Sequence, residues 1–298
     1  MPGHARVTAR SLALAVLLSP AAFVTGGCGN ATPPTAVVTQ LVEARRLAAS
    51  LRLLVNKAAD AEKSSVMAES DEASRAFAQE ANDAARKASQ QDLALKSLLD
   101  KLGYSPEQRL LSEFDHVFVQ SRELDKTILE LAVENSNLKA QRLSFGAAAD
   151  AAAEVRGALD AAVAAAADAG REHVELIAAK IELSVDGMRL LQGPHIAESN
   201  EAAMTALETR MAAYEKEARR LLELLETGDT APAARGADAS FERFIALHRE
   251  ILTLSRRNTN VRSLELSLGQ KRKLTAACDE TLAALQDALE ERGFRATR

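Results

Sequence analysis

One stretch of this chain occurs twice, and the repetition limits the folds open to it. Ile128-Leu129-Glu130-Leu131, Asn135-Ser136-Asn137-Leu138-Lys139 and Leu143-Ser144-Phe145-Gly146 return as Ile251-Leu252-Thr253-Leu254, Asn258-Thr259-Asn260-Val261-Arg262 and Leu266-Ser267-Leu268-Gly269. The offset is 123 at both ends of the stretch (251 − 128 and 269 − 146), and it places Phe118 on Phe241 and Leu159 on Leu282. Upstream, Met67-Ala68-Glu69-Ser70-Asp71-Glu72-Ala73 matches Ile196-Ala197-Glu198-Ser199-Asn200-Glu201-Ala202 at an offset of 129. Self-similarity over this length marks one supersecondary unit used twice. The expectation is two related units of four helices each.

The apolar spacing between these landmarks is helical. Leu41, Ala44, Ala48, Leu51 and Val55 recur at three and four residues, predicting a helix over about 37–67. Ser70 starts the next, which Gly103 ends near Leu102. Ser105-Pro106-Glu107-Gln108 reads as a helix start, with Ser as the cap, Pro in the first turn and Gln three residues on. Leu111, Phe114, Phe118, Ser121, Leu124, Ile128 and Leu131 then form one stripe, with Leu131 and Leu254 expected at equivalent buried sites. After Asn137 a long helix is expected, with Gly170 as a kink or break. Gly193-Pro194 reads as a stop and 228–240 as a loop. Further helices are expected from about Ser199 to Gly228, Phe241 to Arg257 and Asn260 to Arg292.

Composition agrees with bundles. Aromatics are 3% and Trp is absent, so the core must be Leu, Val and Ala, with Phe114, Phe118, Phe241 and Phe244 as its largest members. Asn tolerates left-handed backbone and caps helix starts, so Asn-Ser-Asn and Asn-Thr-Asn suit a tight turn between helices. The alternative is that these paired Asn side chains bind something at the bundle end. The fold class is therefore all-α: two tandem, related, antiparallel four-helix bundles, 37–170 and 171–298, either separate or sharing one long helix.

The chain begins with a different signal. Arg6 and Arg10 precede the apolar run Ser11 to Val24, which is too short to span a bilayer and contains Pro20. It reads as a secretory leader over 1–27. Val24-Thr25-Gly26-Gly27-Cys28 resembles a lipobox, with Thr25 where Leu or Val is usual. Cys28 is thus the expected lipidation site, and 28–36, with Pro33-Pro34, the lipidated tether. Acylation would place the chain outside the cytoplasm on a bacterial membrane. Gly29 is not the Asp that retains such proteins at the inner membrane, which favours the outer one. The formal charge of −5 becomes about −7 once Arg6 and Arg10 leave, which argues against a nucleic-acid partner.

Phe114-x3-Phe118, Ile128-Leu129-Glu130-Leu131-Ala132, the Asn turn, Ala140 and Leu143-Ser144 resemble the later helices of the sensor domain of methyl-accepting chemotaxis receptors. The resemblance covers the end of each unit. It implies a four-helix bundle that senses from outside the cell. In that family two transmembrane helices flank the bundle and a cytoplasmic signalling region follows. This chain shows no second apolar span and reads on only to Arg298, so transmission would need a partner. The family's ligand residues match no motif here, and the ligand-binding residues stay unassigned.

No reactive constellation emerges. Glu113-x-x-His116 has di-iron spacing but lacks a second copy, since the repeat sets Asp125, not His116, against His248. His195-x-x-Glu198 reads as a capping segment, and His173 and His248 are isolated. Cys278 falls on Val155 and reads as a small core residue. Arg256-Arg257 complements a helix terminus or binds an anion. No nucleophile elbow or phosphate loop is present. The expectation is a non-enzyme without cofactor or metal: a sensory or ligand-binding lipoprotein with an unknown small ligand or protein partner, or alternatively a structural, scaffolding envelope protein.

Overall fold

The computed structural model describes residues 34–167, 173–225 and 231–296, and all of its regular elements are helical. The leader, Cys28 and Gly170 lie outside the described residues. No described helix is long and apolar enough to cross a membrane. The helices are α1 (Pro34–Val66), α2 (Asp71–Leu102), α3 (Ser105–Glu134), α4 (Ser136–Phe145), α5 (Ala147–Ala167), α6 (His173–Ala197), α7 (Glu201–Leu225), α8 (Ala231–Arg257), α9 (Thr259–Leu266) and α10 (Arg272–Ala296). A π-helical turn, Ser267–Lys271, joins α9 to α10.

Local chemistry explains most boundaries. Ser70 Oγ accepts from the Ala73 amide at 3.0 Å and opens α2. Gly103, at φ 65°, closes it in the left-handed conformation. Ser105 does not cap α3; it is the first helical residue, and the Tyr104 carbonyl accepts from the Gln108 amide at 2.9 Å. The Gln108 side chain instead reaches Asp100 at 2.9 Å. Gly193-Pro194 does not stop α6, which runs on to Ala197. Beyond the proline, buried His195 and Ile196 hold the last turn against the core. The loop expected over 228–240 is mostly helix. α8 starts at Ala231, tolerates Pro232 in its first turn, and buries Ala237. The long helix after Asn137 is broken at Gly146, whose equivalent, Gly269, lies in the π turn.

Burial revises the register of the repeat. Ala44, Ala48, Leu51 and Val55 in α1 correspond to Val174, Ala178, Ile181 and Val185 in α6, all buried, at an offset of 130. The caps agree, since Asn200 Oδ1 accepts from the Ala203 amide as Ser70 does from Ala73. The 129 offset came from Ala-Glu-Ser letters around the α1–α2 and α6–α7 connections, where side chains do not report packing. Downstream, the offset of 123 holds. Ile128 and Ile251 are fully buried, whereas Leu131 and Leu254 are only half-buried.

The repeats do not fold separately. α1–α5 and α6–α10 are the two copies, but α10 packs on α1 and α3, and α5 packs on α8 and α6. One group is α1, α2, α3 and α10; the other is α5, α6, α7 and α8. The spatial division therefore differs from 37–170 and 171–298: each group takes three helices from one copy and one from the other. Only one residue, Asn135 or Asn258, separates α3 from α4 and α8 from α9. A helix hairpin needs about 2–5 connecting residues to reverse direction. The chain accordingly passes on, and α5 and α10 meet the opposite copy. Leu159 joins the apolar cluster of the second group, and its equivalent Leu282 that of the first. Cys278 and Val155 are likewise exchanged and buried.

Candidate functional site

The exchange is built around the two Asn motifs. Asn135 and Asn258 adopt φ 53° and φ 52°, the left-handed backbone expected of Asn. Neither caps the helix that follows it. Each copy caps the other instead. The Ser136 amide donates to Thr259 Oγ1 at 3.0 Å, and the Thr259 amide to Ser136 Oγ at 3.1 Å. The Asn137 amide donates to Asn260 Oδ1 and the Asn260 amide to Asn137 Oδ1, both at 3.1 Å. Asn137 Nδ2 donates to Asn258 Oδ1 at 2.7 Å, and Asn260 Nδ2 to Asn135 Oδ1 at 2.8 Å. The motifs bind one another across a pseudo-twofold axis. Beside the motif, Lys139 Nζ donates to the Glu134 carbonyl at 2.7 Å.

Each group carries a buried polar node at equivalent positions. In the second group Ser144 Oγ donates to Gln192 Oε1 at 2.7 Å, and Gln192 Nε2 bonds His248 Nδ1 at 3.0 Å. Phe244 stacks on the His248 ring at 6.0 Å. Burial pushes the His248 imidazole below its ordinary range, so this node is neutral. The equivalents in the first group are Ser267, Glu62 and Asp125, with Ser121 for Phe244 and Lys271 for Ala148. Lys271 Nζ donates to Ser121 Oγ at 2.5 Å and to Asp125 Oδ2 at 2.8 Å. Among the described residues, both Oε atoms of Glu62 and Oδ1 of Asp125 lack a hydrogen-bond partner. Glu62 is wholly buried. Burial raises its carboxyl above the ordinary range, with Asp125 adding to this against the pull of Ser267, Lys271 and Lys63. Burial likewise raises Asp125, against Lys271 and Arg122. The arrangement favours a proton on Glu62 beside a Lys271–Asp125 ion pair. The π turn carries two of these residues, and such bulges often mark special sites.

His195 is a buried residue that its spacing did not reveal. Its Nδ1 bonds Ser255 Oγ at 2.8 Å and its Nε2 bonds Glu208 Oε1 at 2.9 Å, while burial lowers its pKa. Arg256 grips the same Glu208 at 2.6 and 2.7 Å and also meets Glu201 and Thr205. Arg256 therefore ties α8 to α7, and Arg257 pairs with Glu134 at 2.5 Å. His116 is exposed and bonds Gln120 at 3.0 Å. Cys278 is buried, and burial pushes its thiol up to about 11, as an inert core thiol requires. Among the described residues no group of three His, Cys, Asp or Glu is placed to hold a metal ion. On the surface of the junction lies a crevice of about 440 Å³, lined on both sides of the pseudo-axis by Asn137 and Asn260 and by Leu138 and Val261, with Glu69, Gln141, Phe145 and Ile196 around them. No family model, curated protein or solved structure matches this chain.

Proposed function

We propose that this chain is a non-enzymatic, lipid-anchored extracytoplasmic protein, acylated at Cys28, that serves as a sensory or ligand-binding module of two four-helix bundles joined by helix exchange. The observation that carries the ligand-binding part is the junction crevice. Its volume lies within the roughly 300–1,000 Å³ usual for small-molecule sites. It sets polar Glu69 and Gln141 beside apolar Leu138, Phe145 and Ile196, where both copies meet. The anchoring part rests on the leader and lipobox, and the sensory part on the resemblance to chemoreceptor sensor domains. A ligand seated there would touch both copies and bias their relative arrangement, which a partner could read.

The test is thermal shift of the full chain against a panel of small metabolites. A binder raises Tm in wild type and not in Ala197→Phe, which fills the crevice from an exposed position. No shift for any compound, together with stable capture of an envelope partner, would favour the scaffolding reading. Membrane fractionation of Cys28→Ser tests the anchor separately; release of the variant, with acyl mass on the wild type, is the expected result.

A further inference from the structure

The end of the first group where α1 begins exposes apolar side chains. Val38 and Val42 on α1 are 39% and 59% exposed, and Phe294 on α10 is 73% exposed. With Leu41 and the Arg45–Glu290 pair they line a crevice of about 240 Å³ between the two helices. α3 starts at the same end, since Arg292 bonds Glu107 at 2.7 Å and lies 4.5 Å over the Tyr104 ring. These bordering charges are matched within the chain. Lys101 and Arg109 stand exposed at this end and make no ion pair within 4 Å among the described residues. Asp100 beside them is engaged by Gln108.

The chain's own anchor selects the occupant. Cys28 precedes Pro34, where α1 begins, by six residues (34 − 28). That length of chain spans at most about 20 Å. The patch starts one helical turn further on, at Val38. The exposed Met67 and Phe145 belong instead to the junction, at the far end of α1, whose 33 residues carry it about 50 Å. A short tether holds the patch at an effective concentration on the order of millimolar at the bilayer, so contacts too weak to bind alone are populated. Aliphatic and aromatic side chains bordered by Lys and Arg suit a leaflet, where acyl chains take the first and phosphates the second. Resting on the lipid-anchored reading above, we infer that this end of the first group docks on the phospholipid leaflet, with Val38, Val42 and Phe294 entering the acyl boundary and Lys101 and Arg109 meeting phosphates. The junction crevice is then held away from the membrane.

The chain contains no Trp, so a single Trp substitution reports depth without background. The acylated full chain carrying Phe294→Trp is reconstituted on vesicles of phosphatidylethanolamine with one phosphatidylglycerol in four, and lipid brominated on its acyl chains is the quencher. The Phe294→Trp emission should shift to the blue and be quenched, while that of Phe145→Trp should stay red and unquenched. Adding Val38→Asp and Val42→Asp should halve the quenching, with helicity and acyl mass unchanged. Undiminished quenching overturns the part assigned to α1. An acylated chain that floats with the vesicles but leaves Phe294→Trp unquenched overturns the docking alone. A blue shift without quenching also overturns it, since a second copy or the chain's own acyl groups then cover the patch. A chain with no acyl mass overturns the anchored reading, and the docking with it.

Discussion

The two polar nodes occupy the same place in two copies of one unit, yet their chemistry is opposite. Ser144, Gln192 and His248 form a chain of neutral groups joined by hydrogen bonds of 2.7 and 3.0 Å. Ser267, Glu62 and Asp125 replace them with two carboxyls, and Lys271 intrudes where the other copy has Ala148. A buried neutral chain stabilises and specifies packing. A buried pair with an orphaned acid contributes little net stability, because desolvation offsets the attraction. The comparison teaches that the fold needs polarity at this level of the bundle but not charge. The charge in the first group is an addition that places buried carboxyls and a lysine where the second group has an imidazole that burial keeps neutral.

Breaking the comparison from the charged side should have the largest effect. Lys271→Ala gives the first group the alanine of the second, but leaves Asp125 and Glu62 buried without a cation. A loss of about 3–5 kcal/mol is expected in chemical denaturation. Adding Asp125→His and Glu62→Gln, which completes the neutral pattern, should recover much of it. No recovery would show that the two nodes are not interchangeable.

Core truncation probes whether the exchange makes one cooperative body. Ile128→Ala and Ile251→Ala should each cost about 2–5 kcal/mol. Hydrogen exchange should report protection lost in both groups for either variant, since α5 and α10 belong to both a copy and the opposite group. Loss confined to one group would mean that the junction does not couple them. The junction itself should give a smaller effect. Asn137→Ala and Asn260→Ala each remove a cap from the other copy's helix and should cost about 0.5–2 kcal/mol by urea unfolding. The double variant should cost less than the sum, because each single change already strands its partner.

The smallest expected effect is a gain. Glu62→Gln removes a buried carboxyl whose two oxygens lack partners and should stabilise by about 1 kcal/mol at pH 7. The folded chain holds the Glu62 proton more tightly than the unfolded one, whose value is about 4.5. The contribution is present below that value and is lost as pH rises through the raised folded one. The gain from Glu62→Gln should thus vanish near pH 4 and grow toward neutrality. Taking the difference from wild type isolates it from Asp92, which burial and neighbouring Asp115 push up to about 7. A pH-independent difference would place the proton elsewhere.

Much of this was legible in the letters. The helices, the duplicated Asn turns, the left-handed Asn135 and Asn258, the four buried Phe residues and the core position of Cys278 follow from spacing and from what Asn and Gly allow. The nodes were not legible. Glu62, Asp125 and Lys271 lie far apart in sequence, and each looks like a solvated charge on a charged helix. His195 was hidden by Pro194, which suggested a helix end where the helix in fact continues. An expectation of local turn chemistry at the Asn motifs named the right residues but the wrong partner.

The sequence alone determined that there are two equivalent helical units and where each bends, because periodicity and turn preference are local. It could not determine which copy each helix completes. The buried positions of α5 and α10 share one register, with Val155 and Leu159 in one and Cys278 and Leu282 in the other, and spacing alone does not say which copy each serves. Only the tertiary structure decided between them. A one-residue interruption carries the chain past its own group, and the first two amides of α4 and of α9 find their acceptors on the opposite copy.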